Sequence, residues 1–129
     1  MPGQGRSQFT YAILRVVPRI ERGECINAGV VVYCQAREFL AARVFLDERR
    51  LAALADGLAP EAVRAHLDTL VRIAEGAPDA GPVARLPPQQ RFGWLVSPSS
   101  TIVQPSEVHT GLCDDPAQTL DELFAELVK

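Results

Sequence analysis

The fold is decided by one stretch of twelve residues, Arg22-Gly23-Glu24-Cys25-Ile26-Asn27-Ala28-Gly29-Val30-Val31-Val32-Tyr33. It opens with polar, turn-forming residues, among which Gly23 supplies a backbone conformation that other residues avoid. It continues into a run rich in valine, whose branched side chain favours extended structure. The stretch therefore predicts a connection that leads into a strand at residues 25–34.

Two further segments of the same character lie on either side of this strand. Residues 9–17 predict a strand that Pro18 ends, and residues 39–46 predict a third strand after a short polar link. Because short links join neighbouring antiparallel strands, the three segments predict a meander. A shorter segment at residues 101–104 predicts a fourth strand.

Helical spacing of the apolar residues predicts helices at residues 47–56, 60–75 and 116–128. The side chains of Asp47 and Asp115 are suited to cap the first and the last of them. Residues 89–96 are compatible with a strand or a short helix, and the prolines before them favour the helix. Together these elements predict an α+β fold, a two-layer sandwich in which helices cover one face of an antiparallel sheet.

The chain is expected to form a single domain over residues 9–129, after a disordered lead at residues 1–8. Its net charge of −3 argues against non-specific binding to DNA or to a membrane surface. The charge is uneven, because residues 1–50 hold eight arginines against five acidic residues and the remainder is acidic. No apolar segment is long enough to span a bilayer, and we expect a cytoplasmic protein.

The three cysteines predict reduced thiols. Cys25 and Cys34 lie at opposite ends of one predicted strand, roughly 30 Å apart, so they cannot form a disulfide. The odd number of cysteines, the lack of a CxxC pair and the presence of only two histidines argue against a zinc site. No P-loop or GxGxxG motif occurs, so we expect no cofactor.

One side of each predicted strand is uniformly apolar, which predicts the face that the helices cover. That side comprises Ala12, Leu14, Val16, Ile26, Ala28, Val30, Val32, Leu40, Ala42, Val44 and Leu46. The other side is mixed and comprises Tyr11, Ile13, Arg15, Asn27, Gly29, Val31, Tyr33, Phe39, Ala41, Arg43 and Phe45. Each strand places one polar residue in the middle of the mixed side, and we expect Arg15, Asn27 and Arg43 to cluster there.

Two guanidinium groups and a carboxamide beside the rings of Tyr11 and Tyr33 have the chemistry to hold a phosphate, a carboxylate or a nucleobase. The simpler interpretation is the solvated face of an antiparallel sheet, on which arginine stems lie over apolar neighbours. A protein-binding surface is the third interpretation, and the sequence leaves all three open.

The candidate catalytic residues are Glu24 and His109. Arg22 is placed to orient Glu24 as a base, although an ion pair at a turn explains the same residues structurally. His109 follows a hydroxyl-rich segment at residues 99–106, where a hydrogen bond to a turn explains the histidine equally, and no GxSxG motif is present. The decisive question is whether one pocket is surrounded by Arg22, Glu24, Asn27, Gln104 and His109.

Two other conspicuous side chains are interpreted as structural. His66 lies on the apolar stripe of its predicted helix, and Trp94 lies beside Phe92 in the ambiguous segment. We expect His66 to be partly buried and Trp94 to belong to the core.

Four blocks of sequence carry a resemblance: Tyr11-Ala-Ile-Leu-Arg-Val-Val-Pro18, Arg22-Gly-Glu … Asn27-Ala-Gly-Val-Val31, Ser100-Thr-Ile-Val-Gln104 and Val108-His-Thr-Gly111. In this order they resemble a bacterial family of small uncharacterised proteins, a domain of unknown function. The resemblance implies no established activity and no defined catalytic residues. Members of that family are often encoded beside a protein similar to the HipA-type kinases, which implies a partner or accessory role.

Three functions are carried forward, in this order. The first is a non-enzymatic interaction module that partners a HipA-like kinase. The second is a single-stranded nucleic-acid binder that uses the face with Tyr11, Arg15, Tyr33 and Arg43. The third is a small hydrolase or nuclease that uses Glu24 and His109 in one cleft.

Overall fold

The computed structural model describes residues 6–55, 57–98 and 101–129. It contains an antiparallel sheet built from β1 (Ser7–Val16), β2 (Ile26–Cys34), β3 (Phe39–Val44), β4 (Val103–Pro105) and β5 (His109–Cys113). The strand order is β3-β2-β1-β4, and β5 also pairs with β1. β1 is long enough to serve both short strands, because β4 pairs with its residues 14–16 and β5 with its residues 7–11.

The helices are α1 (Glu48–Leu54), α2 (Pro60–Glu75), α3 (Pro88–Leu95) and α4 (Pro116–Leu127). Asp47 and Asp115 cap α1 and α4 by accepting hydrogen bonds from backbone N–H groups of the first helical turn. α2 begins at a proline that needs no N–H and ends at Gly76, whose φ of 73° is left-handed. None of the helices in the described part of the chain is long and apolar enough to cross a membrane.

The α+β class, the antiparallel sheet and the predicted helices are confirmed, and the ambiguous segment forms the helix α3. The strand boundaries differ from the expected ones by one to two residues, and the sheet has one more strand than expected. β1 begins at Ser7, so residues 7–8 belong to the sheet, while residues 1–5 of the expected lead lie outside the described residues. The strand β5 was not predicted, since His109-Thr-Gly-Leu-Cys113 lacks the valine-rich character of the first three strands.

The helices cover both faces of the sheet, which corrects the expected arrangement on one face. Adjacent residues of β3 show this, because Ala42 belongs to one buried cluster and Ala41 packs against the other. We call the first the α2 face; its core includes Leu14, Leu67 and Phe92. The second is the α4 face, where Phe9, Val30, Val32, Leu120 and Phe124 are buried together.

A β-bulge in β2 explains why the α4 face has its own core. Leu14 pairs with Gly29 whereas Arg15 pairs with Asn27, so Ala28 has no partner of its own on β1. The extra residue reverses the alternation along β2, and the consequence is a correction to the predicted faces. Ile26, Ala28, Val31 and Tyr33 point to the α2 face, and Asn27, Val30, Val32 and Cys34 point to the α4 face.

Gly29 is the residue that allows close packing at this bulge. A Cβ atom at this position would lie 2.9 Å from the carbonyl oxygen of Arg43 and 2.8 Å from Cγ1 of Val44. Both distances are shorter than van der Waals contact, so any side chain would push β3 away from β2.

Candidate functional site

Asn27, Arg15 and Gln104 lie side by side on three neighbouring strands, and we call them the Arg15 row. Arg15 is the register partner of Asn27 on β2 and of Gln104 on β4. Because neighbouring strands are about 4.8 Å apart, the row spans about 10 Å. Arg15 alternates with Leu14 and Val16, which point to the α2 face, so the row lies on the α4 face.

The two amides of the row are anchored to nearby backbone. Nδ2 of Asn27 donates a hydrogen bond to the carbonyl oxygen of Leu127, 3.0 Å away at the end of α4. Nε2 of Gln104 donates to the carbonyl oxygen of Thr101 over the same distance of 3.0 Å. These contacts position both carboxamides, and the one from Asn27 also stabilises the last turn of α4, whose terminal carbonyl groups lack helical partners.

The side chain of Arg15 is half-buried, and its guanidinium group makes no hydrogen bond or ion pair with any residue that the structure describes. A guanidinium group carries five N–H donors, and a desolvated one gains most from a planar anionic acceptor. The row therefore has the chemistry to hold a carboxylate or a phosphate.

Arg43 and Tyr33 do not join this row, although both were expected beside Arg15. Nη1 of Arg43 lies 2.6 Å from Oδ1 of Asp121, and its guanidinium carbon lies 4.5 Å from the centre of the Phe124 ring. Arg43 lies on the second strand away from β1, at the level of Ile13, which is two residues before Arg15. The Cα atoms of Arg43 and Arg15 are therefore ~12 Å apart. Tyr33 points to the α2 face because of the bulge, and its ring stacks on Phe92 at 5.2 Å.

His109 continues a series of aromatic rings on the α4 face. The ring centre of Tyr11 lies 5.1 Å from that of His109 and 5.9 Å from that of Phe9. Nε2 of His109 lies 3.8 Å from Oε1 of Glu107, and the His109 side chain is 40% exposed. The imidazole is thus held between a tyrosine ring and a carboxylate at the sheet surface.

Glu24 and Arg22 form an exposed ion pair beside the turn at Gly23. Nε of Arg22 lies 2.8 Å from Oε1 of Glu24, and Gly23 adopts a left-handed φ of 70°. Glu24 precedes the level of Val16, whereas His109 lies at the level of Tyr11. Five residues of strand separate these levels by about 17 Å, so the two catalytic candidates do not share a hydrogen-bonding site.

A cleft opens on the α2 face beside α3, and we call it the Trp94 cleft. Its volume is about 330 Å³, which lies within the range of small-ligand sites. Residues that line it come from β1, α2, α3 and β4. They include Leu14, His66, Leu70, Trp94, Leu95 and Val103. Trp94 is 47% exposed and His66 is half-buried at its rim.

Sequence analysis missed this cleft because it placed Trp94 in the core. The available signal was helical spacing, since the buried residues Phe92 and Leu95 of α3 lie three apart and Trp94 falls off their stripe. The hydroxyl-rich segment predicted near His109 borders the cleft through Thr101, while Ser99 and Ser100 lie outside the described residues.

The cysteines behave as separate thiols. All three are free, with Cys25 exposed and Cys34 and Cys113 buried on the α4 face. Burial raises the pKa of the Cys113 thiol, and the neighbouring Cys34 thiol raises it further. Within the described ranges, no group of three histidine, cysteine or acidic side chains is placed to hold a metal ion.

A family model described as "Protein of unknown function (DUF3037)" matches residues 11–128. The match covers nearly the whole chain, and the chain belongs to this family. No curated protein and no solved structure matches the chain.

Proposed function

We propose that this member of the DUF3037 family is a cytoplasmic, non-enzymatic interaction module that binds a partner protein through the Trp94 cleft. The observation that carries the proposal is an exposed tryptophan at the mouth of an apolar cavity. The resemblance noted in the sequence implies the partner, a HipA-like kinase encoded beside the gene.

Tryptophan is the side chain most enriched among residues that dominate protein–protein binding energy. It contributes most when a partner's apolar group packs beside it and excludes water. The cleft provides such a place, because Leu70, Leu95 and Val103 form its floor and His66 offers a polar edge. An apolar side chain of the kinase would fill the cleft against Trp94 and leave a polar rim around it.

The proposal is tested by co-expression of the protein with the neighbouring kinase, followed by co-purification and titration calorimetry. Trp94→Ala is expected to weaken the complex at least tenfold, because it removes the largest contact at the cleft. The matched control is Leu86→Ala, another exposed apolar side chain that precedes α3 and does not line the cleft. A complex that forms equally well with Trp94→Ala contradicts the cleft, and the absence of any complex contradicts the kinase as the partner.

Single-stranded nucleic acid is the second candidate ligand, supported by Arg15, whose side chain has no partner among the described residues, and by the Tyr11 ring four residues away on the same face of β1. Binding there would use phosphate contacts and base stacking, and its affinity would fall steeply with salt. The acidic side chains on α4 and Glu107 oppose this candidate. Fluorescence anisotropy with a labelled oligonucleotide tests it: Arg15→Ala should weaken binding, and equal affinity in wild type and variant rejects it.

The hydrolase or nuclease alternative receives no support from the geometry. It requires Glu24 and His109 within hydrogen-bond reach, directly or through one water molecule. Their separation along the sheet exceeds that reach several times over.

A further inference from the structure

The two edges of the sheet differ in how they are protected. At one edge, β3 is flanked by α2 on one face and by α4 on the other, and Arg43 projects from it. At the other edge, β5 pairs only with β1 within the described residues. Natural sheets protect free edges with charged residues, prolines or bulges. The segment His109-Thr-Gly-Leu-Cys113 contains none of these, and the one-residue register shift between β4 and β5 confines the bulge and the charge of Glu107 to the residues just before it.

The free edge of β5 also carries exposed aliphatic side chains. Leu112 is 62% exposed, which is the largest value among the exposed large apolar residues, and Val108 is 43% exposed just before the strand. The two are four residues apart and therefore point to the same side of the sheet, with Thr110 between them. An edge that offers backbone groups together with apolar side chains is a template for another strand.

The direction of the free backbone groups follows from the register with β1. Ser106 N–H donates to the carbonyl oxygen of Ile13 over 2.8 Å, which shows that Ile13 directs its backbone groups toward this edge. Alternate residues of a strand direct these groups to the same side, so Tyr11 and Phe9 do likewise and bond to His109 and Gly111. The N–H and C=O groups of the intervening residues of β5 consequently point outward.

We infer that β5 pairs with β5 of a second copy of this chain, antiparallel and centred on Thr110, so that two sheets become continuous across a two-fold axis. In this register Thr110 faces Thr110 of the second copy, and Leu112 faces its Val108. Thr110 and Leu112 direct their backbone groups outward, which gives two hydrogen bonds between the two copies of Thr110 and further ones where Leu112 meets the residue just before the partner strand. The exposed aliphatic side chains then cover one another on one side of the sheet.

Charge disfavours the register centred on Gly111, and a proline disfavours the register centred on Leu112. With the axis at Thr110, the acidic Glu107 and Asp114 face the uncharged Cys113 and Ser106 of the second copy. With the axis at Gly111, Glu107 would face Asp115 of the second copy, and like charges in opposite positions are destabilising. With the axis at Leu112, Val108 would face Pro116, which has no N–H to donate.

A second copy suits this edge better than an unrelated peptide because the pairing is self-complementary. An isologous contact uses the same patch twice, so each favourable feature of the edge counts twice. The contact is narrow, and we therefore expect a reversible dimer rather than an obligate one. The dimer contact uses β5 and not the Trp94 cleft. The tests of the dimer and of the kinase complex are therefore independent.

The register is tested by cross-linking single cysteine variants in a Cys25→Ser background, which removes the exposed native thiol. In a hydrogen-bonded antiparallel pair, Cα atoms lie about 5.5 Å apart, which is within disulfide range. Thr110→Cys should therefore form a disulfide dimer under mild oxidation. Leu112→Cys, whose two copies would lie about 13 Å apart along the strands, should form no disulfide dimer. Equal cross-linking of both variants, or of neither, overturns the pairing.

The assembly is tested by sedimentation velocity of the full chain over a concentration range. Wild type should show a monomer–dimer equilibrium, and Leu112→Lys should raise the dissociation constant at least tenfold, because it places lysines beside the axis. The control Ile20→Lys alters a side chain of similar exposure, 54%, away from β5 and should leave the equilibrium unchanged. A wild-type monomer at every concentration, or equal dissociation constants in wild type and Leu112→Lys, overturns the proposal.

Discussion

The two faces of the sheet are covered in different ways. On the α2 face, helices from the middle of the chain enclose a large core that extends from Val16 at the end of β1 to Phe92 in α3. On the α4 face, one helix covers β2 and β3 and leaves Arg15, Gln104 and His109 on the strands β1, β4 and β5 beside it. Because the buried cluster on the α2 face is the larger, we expect it to contribute more of the stability, whereas the α4 face combines a small core with an accessible polar strip.

Leu67→Ala is the change expected to cost the most, because this side chain of α2 is completely buried in the larger core. We expect a loss of roughly 3–5 kcal/mol in the free energy of unfolding, from the lost burial and the cavity left behind. Urea denaturation followed by circular dichroism measures it. The control is Leu123→Ala in α4, where the half-buried leucine should cost about 1 kcal/mol. Equal losses would mean that the two faces contribute equally.

Gly29→Ala is expected to destabilise the protein by about 1–3 kcal/mol, because the new Cβ would collide with the backbone of β3. The loss should appear in thermal unfolding as a lower Tm. Gly93→Ala is the matched control, since this exposed position of α3 has no atom within 4 Å of a built Cβ. There alanine should stabilise the helix by about 0.5–1 kcal/mol. A neutral Gly29→Ala would show that the bulge tolerates movement of β3.

Asn27→Ala should cost about 1 kcal/mol, because the carbonyl group of Leu127 loses its hydrogen bond. Asn27→Asp should cost more at neutral pH, since a carboxylate is repelled by the negative end of the α4 dipole. Chemical denaturation at pH 7 compares the two variants. Gln104→Ala serves as the control, because its exposed hydrogen bond to Thr101 should contribute less. If the two alanine variants lose the same stability, Asn27 does not anchor α4.

The Arg43–Asp121 ion pair should give the smallest effect, because both side chains are about half exposed or more. A double-mutant cycle with Arg43→Ala and Asp121→Ala is expected to give a coupling of about 0.2–1 kcal/mol. The coupling should decrease at high salt, whereas the contact of Arg43 with Phe124 should persist. The pair formed by Arg22 and Glu24 is the comparison, and a larger coupling there would reverse the expected order.

The parts of the fold that the sequence predicts well are those with local causes. Pro60 and Gly76 bound α2 as expected, and Asp115 with Pro116 begins α4. The strand β5 escaped prediction because its residues become a strand only through pairing with β1, which is nearly one hundred residues earlier in the chain. The face that α4 covers was not predicted for a related reason, since no local sequence pattern indicates which face of a sheet a distant helix covers.

The candidate site divides in the same way. Strand alternation correctly placed Arg15 and Asn27 on one face, because no irregularity of β1 or β2 separates their levels. It failed for Tyr33 because the bulge at Ala28 reversed the alternation, and a bulge depends on pairing rather than on local sequence. Helical spacing in α3 could have placed Trp94 at the surface, but not the Trp94 cleft itself, because its wall joins α2, α3 and β4 across distant parts of the sequence.

Some contacts of β1 and β2 join residues that are far apart in the sequence, which has a consequence for folding during translation. The backbone N–H of Ile13 donates a hydrogen bond to the hydroxyl of Ser106, 93 residues later in the chain. The side chain of Asn27 donates one to the carbonyl oxygen of Leu127, 100 residues later. Contacts so distant in sequence form late, because the chain must close a long loop before they are gained. During synthesis the first three strands therefore leave the ribosome as an unfinished sheet, with Val30 and Val32 uncovered until α4 has been translated. The nascent chain therefore passes through an interval in which its exposed apolar surface can aggregate with other chains.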